Sequence, residues 1–233
     1  MARLPRLCIA GEPHLVIQKS LADAPVLRAE ADCSAYLACL RQAWLECGVA
    51  VHAYVLTPTQ VRLLATPPSD TALGTMLQAA GRRFVPAYNR RHARRGPLWD
   101  GRFHATVIDA DRHFIESLLF VETAALQMGI VDQVDQVGQW LWSSAVHHAG
   151  HGTAAGLTEH RGYWNLGNTP FEREAHYRRL LEVPLAPERK QAIERAALQG
   201  WALGQAGFIE AMSRRAKRRL QPLPPGRPAA RNA

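Results

Sequence analysis

Apolar and polar positions along this chain change period several times, and the changes mark its elements. His14-Leu-Val-Ile-Gln-Lys19 is a short β-branched run after a Gly11-Glu-Pro turn and predicts a first strand. Between residues 30 and 47, Ala31, Ala35, Leu37, Cys39, Leu40, Ala43 and Trp44 recur at helical spacing, and Gly48 ends the helix. Val49 to Leu56 and Val61 to Ala65 are apolar runs on either side of Thr57-Pro-Thr-Gln60, which predicts a hairpin. Pro67-Pro68-Ser-Asp70 breaks the chain, and Asp70 is placed to cap a helix running through Leu73, Met76, Leu77, Phe84 and Tyr88. Arg102 to Asp109 predicts a fourth strand, and Asp111 starts a helix through Phe114, Leu118, Leu119 and Leu126 to Gly129.

The order strand, helix, strand, strand, helix, strand, helix fits a ferredoxin-like α/β (α+β) fold. It implies an antiparallel sheet with strands one and three central, helices on one face, and one added helix. Beyond residue 130 the pattern changes. Trp140-Leu-Trp-Ser-Ser144 leads into HHAGHGTAAG, and helix-like pieces follow in PFEREAHYRRLLEV, ERKQAIERAALQGWALG and FIEAMSRRAKRRL. The expected organisation is a sheet domain over 1–130, a smaller helical basic extension over 131–212, and a basic tail over 213–233.

Composition adds a charge asymmetry to this picture. The 233 residues carry 28 lysines and arginines against 20 acids, a net charge of +8, which points to a polyanionic partner. No apolar run approaches the roughly 20 residues of a membrane span, so no membrane partner is expected and the chain reads as cytoplasmic and nucleoid-associated. The four cysteines, Cys8, Cys33, Cys39 and Cys47, include no close C-x-x-C pair and read as reduced packing residues.

The charge concentrates in GRRFVPAYNRRHARRGPLWDGRFH, residues 81–104. Arg82, Arg83, Arg90, Arg91, Arg94, Arg95 and Arg102 stand there against Asp100 alone, interleaved with Phe84, Tyr88, Trp99 and Phe103. Guanidinium groups fork onto phosphate oxygens, and aromatic faces take unpaired bases. These arginines, with Asn89, Tyr88 as a base-stacking ring and Trp99, form the candidate nucleic-acid surface; a solvated basic face is the bland alternative. A second basic element, Arg214, Arg215, Arg218 and Arg219, precedes Pro225-Gly-Arg227-Pro, which has the form of a single AT-hook core or of a general phosphate-binding tail. His147, His148, His151 and His160 with Glu159 have metal-ligand types but no fixed spacing, and read as a solvated loop.

VHAYVLTPTQVRLLATP at residues 51–67 resembles the segment HAYVLMPNHVHLLLTP of single-tyrosine HUH transposases. AGEPHLV, the basic segment GRRFVPAYNRRHARRGPLWDGRF and WLWSS extend the resemblance over about residues 3–146. LGNTPFEREAHYRRLLE and GWALG are similar to the C-terminal extension of REP-associated tyrosine transposases and their insertion-sequence relatives. The resemblance implies a protein that cuts and joins single-stranded DNA beside a hairpin. It implies a divalent metal, magnesium or manganese, held by a pair of strand histidines and a helix amide, and a helix tyrosine as nucleophile.

At each of those positions this chain differs. Gln60 and Arg62 stand where the histidine pair belongs, Phe120 stands at the nucleophile and Ala124 one helical turn later. A guanidinium has no lone pair for a metal, and phenylalanine has no hydroxyl to form a phosphotyrosyl bond. The expectation is therefore a DNA-binding, transposase-like protein for DNA transposition or recombination substrates, catalytically inactive and without a metal cofactor. Arg62 is expected either as a backbone-phosphate contact or as an exposed strand residue. Two rivals stay open: a working transposase subunit with relocated or partner-supplied residues in a homodimer or mixed dimer, and an RNA- or protein-interaction module.

Overall fold

A computed structural model describes residues 7–222. Four strands, β1 (His14–Lys19), β2 (Ala50–Leu56), β3 (Gln60–Thr66) and β4 (His104–Val107), form one antiparallel sheet in the order β2-β3-β1-β4. Between them run α1 (Glu30–Glu46) and α2 (Ala72–Arg91), completing the expected β-α-β-β-α-β succession with β1 and β3 central. The expected fourth strand is shorter than its apolar run. After β4 come α3 (Ala110–Glu122) and α4 (Ala124–Gln127), where a single helix to Gly129 was expected. The break falls at Thr123, whose hydroxyl turns back to donate to the Leu119 carbonyl at 2.6 Å.

Six further helices make up the extension: α5 (Val134–Val137), α6 (Ala145–His148), α7 (Arg161–Trp164), α8 (Pro170–Glu182), α9 (Pro187–Gln199) and α10 (Ala206–Arg215). Pro170 at the first turn and a reciprocal Thr169–Glu172 capping box fix the start of α8. Gly200 ends α9 in the left-handed region at φ 66°, a conformation an L side chain resists.

Both faces of the sheet are covered, which corrects the expectation of helices on one face. Val16, Leu56, Val61, Leu63 and Ala65 pack under α1 and α2. Leu15, Ile17, Val55 and Leu64 pack under Phe114, Leu118 and Phe120 of α3 and Ile193 and Ala197 of α9. The physical reason is in the strands themselves: VAVHAYVL and VRLLA are nearly continuous apolar runs, the signature of burial on two sides. A bulge between Val51 and Ala53 shifts the alternation by one, so Val51 and Tyr54 share the α1 face while Ala53 and Val55 take the other.

The boundaries expected near residues 130 and 212 are not breaks in packing. α8 and α9 share one core with α3, and Leu203 bridges Ile108 at the β4 edge. Leu220 and Met212 join Leu7, Ile9 and Val107 in a third cluster. Asp70 is not a helix cap: it accepts from the Ala10 amide at 2.8 Å, and α2 starts after Thr71 with no side-chain cap. All four cysteines are free, Cys33 buried and the others half-buried.

Two histidines of this frame are held neutral. His14 accepts from the Ile9 amide through Nε2 and donates to the Glu12 carbonyl through Nδ1; His52 donates to the Thr158 carbonyl and accepts from the Thr66 hydroxyl. Burial pushes both pKa values down from 6.5 to about 4. The unfolded chain takes up these protons as pH falls through 6.5, whereas the folded chain does not until about 4. The stability they contribute is therefore complete above 6.5 and is lost as pH falls toward 4. Urea midpoints measured across that window fall steadily with acidity, and the fall is shallower in His52→Gln.

Candidate nucleic-acid interface and the Arg62 site

Residues 60 and 62 of β3 alternate onto the same face as Leu64, the face that meets α3. Arg62 is buried there, with 4 % of its surface exposed. Its Nη1 donates to the Phe120 carbonyl at 3.1 Å and to Gln127 Oε1 at 3.0 Å, while Nε and Nη2 both reach Gln60 Oε1 at 3.3 Å. The guanidinium carbon lies 4.4 Å from the centre of the Phe120 ring. Gln127 is itself held by donating to the Thr123 hydroxyl at 2.7 Å. Burial lowers the Arg62 pKa to about 10, with Glu194 opposing the shift, so the group is charged at neutral pH.

This arrangement corrects both expectations for Arg62. It is neither a phosphate contact on the surface nor an exposed strand residue, but a cross-link between β3, α3 and α4. The resemblance implies a divalent metal at these positions, and the residues do not fit one: a fixed cation without lone pairs fills the space between Gln60 and Phe120, and Ala124 is fully buried. Among the described residues no cluster of three histidines, cysteines or carboxylates is arranged to hold a metal ion. Truncation with Arg62→Ala strands the Gln60 and Gln127 carbonyls and opens a cavity, at a cost of about 2–3 kcal/mol in chemical unfolding. Arg62→Met keeps the stem and so avoids most of the cavity, but strands the same carbonyls, and costs about 1–2 kcal/mol.

The basic segment divides into an inward aromatic set and an outward arginine set. Phe84 and Tyr88, one turn apart on α2, are buried against α1; Phe84 packs edge-on to Tyr36 at 5.0 Å and Tyr88 lies 5.4 Å from Phe84. The base-stacking role expected for Tyr88 is thereby corrected, since its faces are taken by Phe84 and His92. Trp99 is half-buried, 5.2 Å from Tyr36, and pairs with Ser20 in a β-bridge. Asn89 Nδ2 donates to the Gly96 carbonyl at 2.9 Å and shapes the loop between them.

Arg83 and Arg91 are committed to ion pairs, with Glu46 at 2.6 Å and with the buried Asp32 at 2.5 Å, and His92 joins Asp32 at 3.0 Å. Arg82, Arg90 and Arg95 are exposed and have no ion-pair partner among the described residues; Arg94 reaches only the Pro97 carbonyl at 3.3 Å. Arg102 lies apart, lining a cleft with Asp70, Thr71 and Gln78 at the start of α2. The loop meets the Arg62 site through β1: the Asp100 amide donates to the Lys19 carbonyl, Lys19 pairs with Gln60, and the Ser20 amide donates to the Thr59 carbonyl.

In the second basic element, Arg215 ties the chain to Glu12 and to the Ala10 carbonyl, and Arg218 donates to the Gly200 carbonyl at 2.9 Å. Arg214 pairs with Glu210 at 2.8 Å, and Arg219 is exposed. Arg227 falls outside the described residues.

The solvated loop expected around the histidines is also corrected. His148 is buried beside Glu122, a fully buried carboxylate. Glu122 accepts from the Ser144 hydroxyl, the Tyr177 hydroxyl and His148 Nδ1, the last at 2.8 Å. Burial and the neighbouring carboxylate raise the Tyr177 pKa well above 10. His147 pairs with Glu159 at 3.1 Å, His160 stacks on Phe114 at 4.0 Å, and His151 meets the Gly138 carbonyl at 2.9 Å.

No protein-family model and no curated protein matches this chain. Its structure is similar to that of a REP-associated tyrosine transposase bound to a REP hairpin. The similarity has a TM-score of 0.54 and 14 % identity and covers 70 % of this chain and 96 % of that one. A candidate transposase from Deinococcus radiodurans R1 aligns with 49 % of this chain and 93 % of its own, at 20 % identity and a TM-score of 0.36. At such identities the likeness is one of fold: a four-stranded antiparallel sheet with helices, followed by several C-terminal helices. Among the described residues no helix is long and apolar enough to cross a membrane.

Proposed function

We propose that this chain is a transposase-like DNA-binding protein on a ferredoxin-like core that holds single-stranded or hairpin DNA without cleaving it. The observation that carries the reading is the Arg62 lattice. Four side chains that the resemblance would need for strand transfer are Gln60, Arg62, Phe120 and Ala124, and the first three are bonded or stacked to one another. A charged guanidinium in that space repels a divalent cation, and Phe120 offers a phosphate no nucleophile.

Support for the binding half comes from the arginines. Arg82, Arg90 and Arg95, with the half-buried Arg94, project from a segment whose aromatic residues anchor it to α1 and to the end of β1, so a fixed scaffold presents cations free of ion pairs among the described residues to a polyanion. The similar solved structure is of a protein bound to a DNA hairpin, and a hairpin with a single-stranded flank is the ligand proposed here.

The deciding experiment incubates the protein with hairpin-bearing single-stranded DNA plus magnesium or manganese, and measures binding to the same hairpin, to duplex DNA and to an RNA hairpin. The expected result is selective binding to the DNA hairpin with no covalent adduct. An adduct sinks the inactive reading, whether its nucleophile is relocated or supplied by a second subunit. Equal affinity for all three nucleic acids sinks selective DNA recognition.

A further inference from the structure

Beside the Arg62 lattice lies a cavity of about 130 Å3, bounded by α3 and α4 on one side and by the α8–α9 junction on the other. Leu119, Leu126, Val134, Leu180, Leu181 and Leu185 supply most of its wall. The cavity opens to solvent past Val183 and Pro184, and its apolar interior has roughly the size that holds a molecule such as benzene. A saturated chain of about six carbons fills a similar volume.

Three polar residues interrupt the wall: Thr123, Gln127 and Lys190. Thr123 is spent, its hydroxyl donating to Leu119 and accepting from Gln127. The Gln127 amide has a second N–H whose contact with the Phe120 carbonyl, at 3.5 Å, is at the limit of a hydrogen bond. Lys190 is half-buried and has no ion-pair partner among the described residues. An apolar chamber with a cation and a spare amide donor selects a ligand with an anionic acceptor head and a short apolar tail. It disfavours an amine, which meets like charge, and a dicarboxylate, which must bury a second charge.

We propose that this cavity binds a short-chain monocarboxylate, its head on Lys190 and Gln127 and its tail among the leucines. Gln127 is shared with the Arg62 lattice, so occupancy is felt at the face that the resemblance associates with chemistry. The proposal does not rest on the DNA-binding reading and stands or falls separately from it.

The test is calorimetric titration of the full chain with sodium hexanoate, hexan-1-ol, hexylamine and sodium acetate. Hexanoate is expected to bind with a Kd on the order of 0.1–1 mM, given ordinary affinity per heavy atom. Hexan-1-ol, hexylamine and acetate are expected to bind at least about tenfold more weakly. Lys190→Gln lowers hexanoate affinity by about tenfold and leaves hexan-1-ol unchanged, whereas Leu180→Phe fills the chamber and abolishes both. Circular dichroism checks that each variant is folded; if Leu180→Phe is not, Lys190→Gln decides alone. No heat from hexanoate at about 10 mM, hexanoate binding no tighter than hexan-1-ol, or undiminished binding in Lys190→Gln overturns the proposal.

Discussion

Replacing Glu122 with alanine lowers the thermal midpoint by roughly 6–20 °C. The expectation combines about 3–5 kcal/mol for breaking a buried polar cluster with roughly 2–4 °C per kcal/mol for a chain of this size. Glu122 has no exposed surface, and its two oxygens accept from Ser144, His148 and Tyr177. Alanine leaves the His148 and Tyr177 donors inside the protein with nothing to meet, at about 1–3 kcal/mol each, whereas the Ser144 hydroxyl keeps the Tyr54 carbonyl at 3.2 Å. The loss is amplified by topology, because the cluster joins α3 to α6 and α8 and so fastens the extension to the sheet. Glu122→Gln keeps the shape and one acceptor oxygen but points an amide N–H at a donor, and is expected to cost less than half as much. Tyr177→Phe removes one donor together with its bond and is the mildest of the three. Midpoints from circular dichroism in the order alanine, glutamine, phenylalanine, most to least destabilised, support the cluster. An alanine variant as stable as the parent removes it as a determinant of the fold.

Charge removal at Arg82, Arg90, Arg94 and Arg95, each to glutamine, weakens binding to a single-stranded or hairpin DNA by about 100- to 1,000-fold near 100 mM salt. It also lowers the slope of log affinity against log salt by about 3, since each lost phosphate contact on a single strand removes about 0.7. The choice of these four follows from their freedom. Arg82, Arg90 and Arg95 are without ion pairs among the described residues, and Arg94 holds only a backbone carbonyl. Arg83 and Arg91 serve as the contrast, because Glu46 and Asp32 hold them. Arg91→Gln leaves Asp32 buried with His92 alone, so its effect appears in stability before it appears in affinity. The quadruple variant retaining both affinity and salt slope would place the DNA elsewhere, with Lys217 and Arg219 the next residues to substitute.

Much of the sheet was legible because its strands are short apolar runs separated by Gly-Pro and Pro-Thr turns, and their order leaves few topologies. The second covered face was legible too in principle, since strands with so few polar positions have no side to offer water. Phe84 and Tyr88 sit four residues apart in line with Leu77 and Ala80, which is core spacing on a helix. Their arginine neighbours made the rings look like part of the charged surface. The resemblance singled out Gln60, Arg62 and Phe120, but their exposure was out of reach. The partner that closes the lattice, Gln127, arrives only because α3 breaks at Thr123 and turns the chain back. Glu122, Ser144, His148 and Tyr177 leave no local pattern, being spread over 56 residues of chain and joined only by the packing of α8.

Arg62 touches Gln60, Phe120 and Gln127 at once, so these positions are not independent mutational targets. A histidine placed at position 62 alone, for example, leaves the Phe120 carbonyl and the Gln60 and Gln127 side-chain carbonyls short of the donors that Arg62 supplies. The practical consequence is one of coupling: a trial of whether this scaffold can hold the histidines and tyrosine that the resemblance implies has to change these positions together, because each is a neighbour's bonding partner.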